Sequence, residues 1–365
     1  MIKIICVCGA RPNFIKIGPI MNAFEKQDAF ETCLVHTGQH YDKKMSSLFF
    51  DELNIPKPDI NLDVGSGSHA VQTAEIMKRF EPVVLDFKPD YVLVVGDVNS
   101  TIACGLVAVK LGAKLIHVEA GLRSFDRTMP EEINRILTDS ISDLLFVSER
   151  SGVENLISEG VDPKKIHFVG NVMIDTLLAN IEKAQTSDIL KKLDIKPKEY
   201  AVITLHRPSN VDSLDSLKEI LDAFEKIQKE IKLIFPIHPR SRNNIQRMGL
   251  QSRIDKMKNL ILIDPVGYLD FLWLMKNSSF VMSDSGGIQE ETTILGVSCM
   301  TLRENTERPV TVSEGTNRLV KINSKDIVNN YVNIMNEKPG ITTGIPEMWD
   351  GKTAVRIVKI ITQES

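Results

Sequence analysis

Short runs of apolar and β-branched residues recur along the chain, each followed by a longer stretch in which apolar positions return every three or four residues. In the first half the runs are 2–8 (IKIICVC), 32–37 (TCLVHT), 91–96 (YVLVVG), 114–119 (KLIHVE), 144–148 (LLFVS) and 166–169 (IHFV). In the second half they are 200–205 (YAVITL), 232–237 (KLIFPI), 260–263 (LILI), 279–283 (SFVMS), 298–302 (SCMTL) and 318–322 (RLVKI). Nearly continuous hydrophobicity within a run fits a strand covered on both faces, and alternation with helices gives parallel sheets with crossover connections. The pattern predicts an α/β protein with two doubly wound, Rossmann-like parallel-sheet domains in tandem. The seam falls within 171–199, where a helical stretch meets the charged AQTSDILKKLDIKPKE. The domains are therefore placed at 1–175 and 176–365, with the last helix able to pack back on the first.

Composition narrows the class of ligand. A length of 365 residues suits two cores of ordinary size. Lys plus Arg number 44 against 48 Asp plus Glu, a net charge of -4, which argues against a nucleic-acid or anionic-membrane surface. An anionic ligand must then be held by a local basic cluster. Five cysteines, mostly in apolar runs and without metal-ligand spacing, read as reduced core residues of a cytoplasmic protein. The N-terminus reads as a buried strand rather than a signal peptide, and no window offers 18 uncharged apolar residues. The seven histidines form no HxH or HExxH pair and there is no GxxxxGK loop, so neither a metal centre nor a P-loop is expected. GSGSHA (65–70) comes after PDINLDV, a poor strand, and is a weak dinucleotide fingerprint.

Open α/β sheets bind ligands beyond the carboxyl ends of their strands, and two such sheets can share a cleft, so the candidate chemistry lies just past the end of each run. After the first come Gly9, Arg11, Pro12 and Lys16, cations at a helix start suited to an anion. After the third comes Asp97, either a cleft carboxylate or, with Asn99, a plain cap of the helix 100–111. Glu119 and Arg123 come next in HVEAGLRS (117–124), and Glu119 is hard to explain as core or cap. In MPEEINR (129–135), Glu131 sits in a first helical turn, where a dipole contact and an i,i+4 pair with Arg135 would account for it without function. His206 and Arg207 open the loop after 200–205. The strongest feature is SDSGGIQEE (283–291): Ser285, Gly286 and Gly287 at a helix start allow close approach of backbone N–H groups to a phosphate, with Glu291 a turn further in and suited to ribose hydroxyls. Arg308 adds a possible further cation.

In this order GARPNFIK (9–16), TGQH (37–40), VGDVNST (95–101), HVEAGLRS, MPEEINR, GNVMID (170–175), HR (206–207), DP-x-x-YL (264–269), SDSGGIQEE and TERP-x-T-x-x-x-GT-x-R (306–318) resemble the non-hydrolysing UDP-N-acetylglucosamine 2-epimerases nearly end to end. The resemblance implies a glycosyltransferase-B-type fold with the substrate in the interdomain cleft. It implies interconversion of UDP-N-acetylglucosamine and UDP-N-acetylmannosamine, without cofactor or metal, supplying N-acetylmannosamine units for surface polysaccharide or glycan synthesis. By position it puts Arg11, Lys16, Ser285, Gly286, Gly287, Glu291 and Arg308 on the nucleotide and Phe271 beside the uracil. Asp97, Glu119, Glu131 and His206 fall at the chemistry. Relatives are homodimers, and Gln39 and His40 match part of a second, activating UDP-sugar site in bacterial members. The chain departs from the family pattern at HRPSNVD (206–212), where HRRE-N-x-G is common, and at Val266, where Gln is common.

The chemistry accounts for several carboxylates. The C2 hydrogen is not adjacent to a carbonyl, so it is expected to leave together with UDP from C1, giving a glucal-type alkene that UDP re-adds to with protonation on the other face. Asp97, Glu119 and Glu131 are expected to divide the two proton transfers, at least one with a raised pKa. The cations are expected to receive the departing diphosphate. A retaining nucleotide-sugar glycosyltransferase or a hydrolysing epimerase on the same scaffold is the alternative enzyme, and a nucleotide-sugar sensor the alternative class.

Overall fold

The structure is a computed structural model that describes residues 1–38, 52–53, 55–337 and 344–364. Its two compact units are Met1–Ala179 with Glu347–Ser365, and Asn180–Pro346. The sheet of the first unit contains β1 (Ile2–Cys8), β2 (Phe30–His36), β3 (Ile60–Asn61), β4 (Tyr91–Val95), β5 (Lys114–Ala120), β6 (Leu144–Val147) and β7 (Ile166–Phe168) in the order β3-β2-β1-β4-β5-β6-β7. That of the second contains β8 (Tyr200–Thr204), β9 (Lys232–Pro236), β10 (Leu260–Ile263), β11 (Phe280–Ser283), β12 (Ser298–Thr301) and β13 (Asn317–Leu319) in the order β10-β9-β8-β11-β12-β13. The strands are parallel, so each unit is the doubly wound sheet expected from the strand–helix alternation. The exception to the sequence reading is β3, a two-residue edge strand within PDINLDV that pairs Ile60 with Val35. Its brevity hides it from any periodicity count.

Both sheets reverse their winding beside their first strand, between β1 and β4 and between β8 and β11. Such a switch point leaves a crevice at the carboxyl ends of the strands. Central position explains the composition of these strands: all five residues of β4 are buried, as are Ile4, Ile5 and Cys6 of β1. In the second unit the helix Leu214–Ile227 carries Leu217, Ile220, Leu221, Phe224 and Ile227 on one face, an i, i+3, i+4, i+7 stripe buried against the sheet. Each such side chain contributes about 1.5–3 kcal/mol when fully buried.

The first unit is closed by the far end of the chain. Helix Thr353–Glu364 buries Ile357, Val358 and Ile361, and Asp175 caps it by accepting the Thr353 and Ala354 N–H groups at 3.1 and 2.8 Å. Trp349 Nε1 donates to the Ser148 carbonyl at 2.9 Å. The five cysteines are buried and unlinked, and burial pushes the Cys299 thiol up to about 11. No helix among the described residues is long and apolar enough to cross a membrane.

Candidate active site

In the first unit the polar groups gather around the β1/β4 switch point. Asn13 organises it: its Oδ1 accepts the Ala10 N–H at 2.9 Å, and its Nδ2 donates to the Val95 carbonyl at the end of β4 at 3.0 Å. The Gly9–Ala10 turn and the start of helix Arg11–Phe24 are thereby held beside Gly96 and Asp97. Gly9 has to be glycine here, since a Cβ would lie 2.2 Å from Ser100 Oγ. Lys16, one turn into the helix, is buried and forms an ion pair with Glu119. The resemblance puts Lys16 on the nucleotide; in this structure it faces a carboxylate.

Glu119 sits in the left-handed region at φ 72°, at a break in register between Val118 and Ala120 where β5 pairs with β6. A non-glycine residue there is strained by about 1–3 kcal/mol, and a bulge of this kind re-aims a side chain. Asp97 does not cap the following helix, Asn99–Lys110, whose first cap position is Val98 and has no side-chain bond. Its carboxylate instead pairs with Arg135.

The helix Pro130–Ile141 supplies the support for Asp97. Arg135 bridges Asp97 and Glu132, and Glu132 accepts the Ser124 N–H and Oγ–H and the Phe125 N–H, each at 2.9 Å. The i,i+4 pair between Glu131 and Arg135 that would have made Glu131 merely structural does not form: the arginine takes Glu132, three residues before it, and Glu131 is left exposed at the helix start. Further along, Asp139 binds His117 and Arg123.

In the second unit the centre is Asp284, fully buried just past β11. It pairs with His206 Nδ1 at 2.9 Å and accepts the His206 and Arg207 N–H groups at 3.0 and 2.9 Å and Asn210 Nδ2–H at 3.1 Å. Burial alone would raise its pKa, but the His206 hydrogen bond and charge and the two backbone N–H groups outweigh it and hold the carboxyl below its ordinary value. His206 thus keeps a buried anion at one ring nitrogen while its side chain is half exposed. The HRPSNVD loop, the departure from the family pattern, has a clear local logic. Pro208 starts a single turn, Asn210 also donates to the Leu302 carbonyl, and Asp212 accepts from Arg240 and Asn244.

Ser285 caps helix Gly286–Leu295 by position but makes no side-chain bond to it, which leaves the first-turn N–H groups without a side-chain cap. Arg308 lies across this end: a Cβ on Gly286 would come within 2.7 Å of its Nη1. Its Nε donates to Glu290 at 2.5 Å, and Glu307 lies against Arg303, Arg308 and Arg207. Burial would raise the Glu307 pKa, yet the Arg303 hydrogen bond and the charges of Arg308, Arg303 and Arg207 hold it far below the usual carboxylate range. Glu291 is buried and accepts the Tyr268 hydroxyl at 2.9 Å; burial first, and Glu291 next, push that phenol well above its ordinary value. Phe271 is half-buried on helix Tyr268–Asn277, and Val266 half-buried just before it.

Arg11 is the first residue of its helix. Gln39 and His40 lie outside the described residues. Within the first unit the structure therefore brings together Lys16, Asp97 and Glu119, with Glu131 exposed on the helix whose Arg135 holds Asp97, and within the second His206, Ser285, Gly286, Gly287, Glu291 and Arg308. Sequence reasoning passed over Asp284, Glu307, Asp139 and His117. Asp284 had a signal, since it stands directly after a buried run and before the paired glycines. The others are revealed only by folding.

Comparison with known proteins agrees with this geometry. The family model described as UDP-N-acetylglucosamine 2-epimerase matches residues 22–362. A UDP-N-acetylglucosamine 2-epimerase homolog of Methanococcus maripaludis is 45% identical over 98% of this chain and 99% of its own. A UDP-2,3-diacetamido-2,3-dideoxy-D-glucuronate 2-epimerase of Pseudomonas aeruginosa is 43% identical over 87% of this chain and 88% of its own. The crystal structure of Methanocaldococcus jannaschii UDP-GlcNAc 2-epimerase in complex with UDP-GlcNAc and UDP superposes with a TM-score of 0.92 at 42% identity, covering 99% of this chain and 100% of that one. The fold is of the glycosyltransferase-B type, and the chain belongs to the UDP-N-acetylglucosamine 2-epimerase family.

Proposed function

We propose that this enzyme interconverts UDP-N-acetylglucosamine and UDP-N-acetylmannosamine by inversion at C2, without net hydrolysis, through elimination and re-addition of UDP. The base takes the C2 proton as the C1–O bond to the β-phosphate breaks, leaving 2-acetamidoglucal and UDP. UDP oxygen then re-forms the C1 bond while an acid delivers a proton to the opposite face of C2. In the gluco sugar the C2 hydrogen and UDP are both axial and leave anti; in the manno sugar the hydrogen is equatorial and the path is syn. One group cannot serve both faces, so Asp97, Glu119 and Glu131 divide the work. The observation that carries this reading is Glu119, an ion-paired carboxylate on a strained bulge, close to Asp97 at a switch point. A structural carboxylate has no need of such a backbone.

His206, held by Asp284, and the Gly286 and Gly287 N–H groups, with Arg11 and Arg308, would receive the charge that develops on the leaving diphosphate. Donors of this kind, prearranged out of water, are each worth roughly 10²–10³ in rate. Lys16, paired with Glu119, would hold that side chain in place until substrate arrives. Glu291 would meet the ribose and Phe271 the uracil. A cytoplasmic homodimer, a second UDP-sugar site involving Gln39 and His40, and supply of N-acetylmannosamine for glycans complete the proposal.

Turnover of UDP-N-acetylglucosamine in deuterated water, followed by NMR, tests it. The expected product is UDP-N-acetylmannosamine with deuterium at C2, with scrambling of an ¹⁸O label out of the C1–O–P bridge. Inversion without bridge scrambling overturns the elimination. The Pseudomonas aeruginosa relative, at an identity close to that of the Methanococcus maripaludis one, acts by name on a 2,3-diacetamido uronate, so that nucleotide sugar belongs in the same assay as the second substrate.

A further inference from the structure

One buried carboxylate outside the reacting set touches the backbone on either side of it. Asp139 is 2% exposed. Its Oδ1 faces His117 Nδ1 at 2.6 Å, and its Oδ2 accepts the Gly121 N–H at 3.1 Å and the Arg123 guanidinium at 2.7 Å. On its other edge His117 Nε2 lies 2.9 Å from the carbonyl oxygen of Gly96. A carbonyl can only accept, so Nε2 carries a proton. Arg123, held in turn by Glu159 at 2.8 and 2.6 Å, fixes Asp139 from its other side. His117 therefore bridges a buried carboxylate and a backbone carbonyl.

Gly96 immediately precedes Asp97, and Gly121 lies two residues beyond Glu119. Gly96, Glu119 and Gly121 are all left-handed, at φ 67°, 72° and 79°. Gly96 N–H also donates to the Val118 carbonyl at 3.1 Å, which ties the two loops directly across the ends of β4 and β5. In a regular strand residues 117 and 119 project to one face. Here His117 engages helix Pro130–Ile141 while Glu119 engages Lys16 of helix Arg11–Phe24, and the bulge between them makes the difference. Gly121 cannot drift, because a Cβ there would lie 2.3 Å from the Gly152 carbonyl oxygen.

We propose that Asp139 and His117 are positioning residues that fix the spacing of Asp97 and Glu119, by holding the Gly96 carbonyl on one side and the Gly121 N–H on the other. This rests on the assignment of those two carboxylates to the proton transfers at C2. Neither positioning residue touches the sugar. Their work is to keep one carboxylate from following the other when substrate binds, so that a proton taken on one face is returned on the opposite one.

The test uses Asp139→Asn in the whole chain, which preserves shape and replaces by an NH₂ one of the two oxygens that face His117 and Gly121. UDP affinity is measured first and is expected to stay within threefold of wild type, since Asp139 and His117 bond to none of the residues assigned to the nucleotide. In deuterated water, two rates are then compared: deuterium entering C2 of recovered substrate, and net inversion. A residue that only stabilises the fold lowers both together. A positioning residue changes their ratio, expected by at least threefold, with kcat falling roughly tenfold or more and KM little changed. If Asp139→Asn does not fold, His117→Gln, which keeps a donor toward Gly96 and loses the contact to Asp139, is put through the same comparison. An unchanged exchange-to-inversion ratio in a folded variant overturns the proposal. Absence of C2 deuterium in the wild-type product overturns the reading beneath it instead, so the two failures are distinct.

Discussion

Replacing Asp284 by Asn asks whether His206 acts as a charged donor. The wild-type carboxylate takes four donors, His206 Nδ1, the His206 and Arg207 N–H groups and Asn210 Nδ2, at 2.9–3.1 Å. An amide offers one acceptor oxygen. If that oxygen stays with the Arg207 N–H and Asn210, its NH₂ faces His206 Nδ1, which must then become an acceptor, and the imidazole turns neutral with its proton on Nε2. One charge-assisted hydrogen bond, about 1.5–3 kcal/mol, is lost from the support of His206. At about 1.4 kcal/mol per factor of ten, kcat should fall roughly 10–10²-fold if the bond is fully expressed in the transition state. Stability should fall by about 1–3 kcal/mol, because a buried donor is left unsatisfied. Steady-state kinetics in both directions, a thermal melt and histidine NMR measure the three quantities. The expected result is a kcat loss with KM nearly unchanged and a changed hydrogen-bonding signature at His206 Nδ1. A folded variant with wild-type kcat would refute the role given to His206.

Glu119→Gln should abolish C2 exchange by a factor on the order of 10²–10⁴ while UDP binding, measured by calorimetry, persists; retained exchange would move the base elsewhere. Gly286→Ala sets a methyl 2.7 Å from Arg308 Nη1 and 3.1 Å from its Cζ, and Glu290 limits the retreat of that arginine. UDP affinity should drop by about tenfold or more, the equivalent of one charge-assisted hydrogen bond. Glu307→Gln breaks a buried cluster of charges at a cost of about 3–5 kcal/mol near neutral pH. Because the folded-state pKa of Glu307 is depressed, its contribution is complete above the ordinary glutamate value of about 4.3 and is lost as pH falls through the folded value. Denaturant titrations of wild type and variant should therefore converge in acid and separate above about pH 5.

The doubly wound sheets were legible because their strands are buried on both faces, which writes long apolar runs into the sequence. The strand Ile60–Asn61 was not, because two edge residues leave no periodicity. Among the candidate residues, position after a strand singled out Asp97, Glu119, His206 and the Ser285–Gly287 turn. It said nothing of what those side chains touch. Glu131 and Glu132 are adjacent and chemically identical, and only the fold separates them: one is sealed against Ser124, Phe125 and Arg135, the other faces out. Asp139 and His117 are 22 residues apart and look like an unremarkable helix acid and a strand histidine until the sheet brings them to 2.6 Å.

The closing of the first unit by helix Thr353–Glu364 has a consequence for synthesis. The second unit is one uninterrupted stretch, Asn180–Pro346, whose residues are all joined before the segment that completes the first is made. The helix Arg11–Phe24 thus waits, partly uncovered, for the helix Thr353–Glu364. Messages truncated within Glu347–Ser365 should yield chains with a sound second unit and an aggregation-prone first unit. For expression work, a bulky fusion at the carboxyl terminus is the riskier choice.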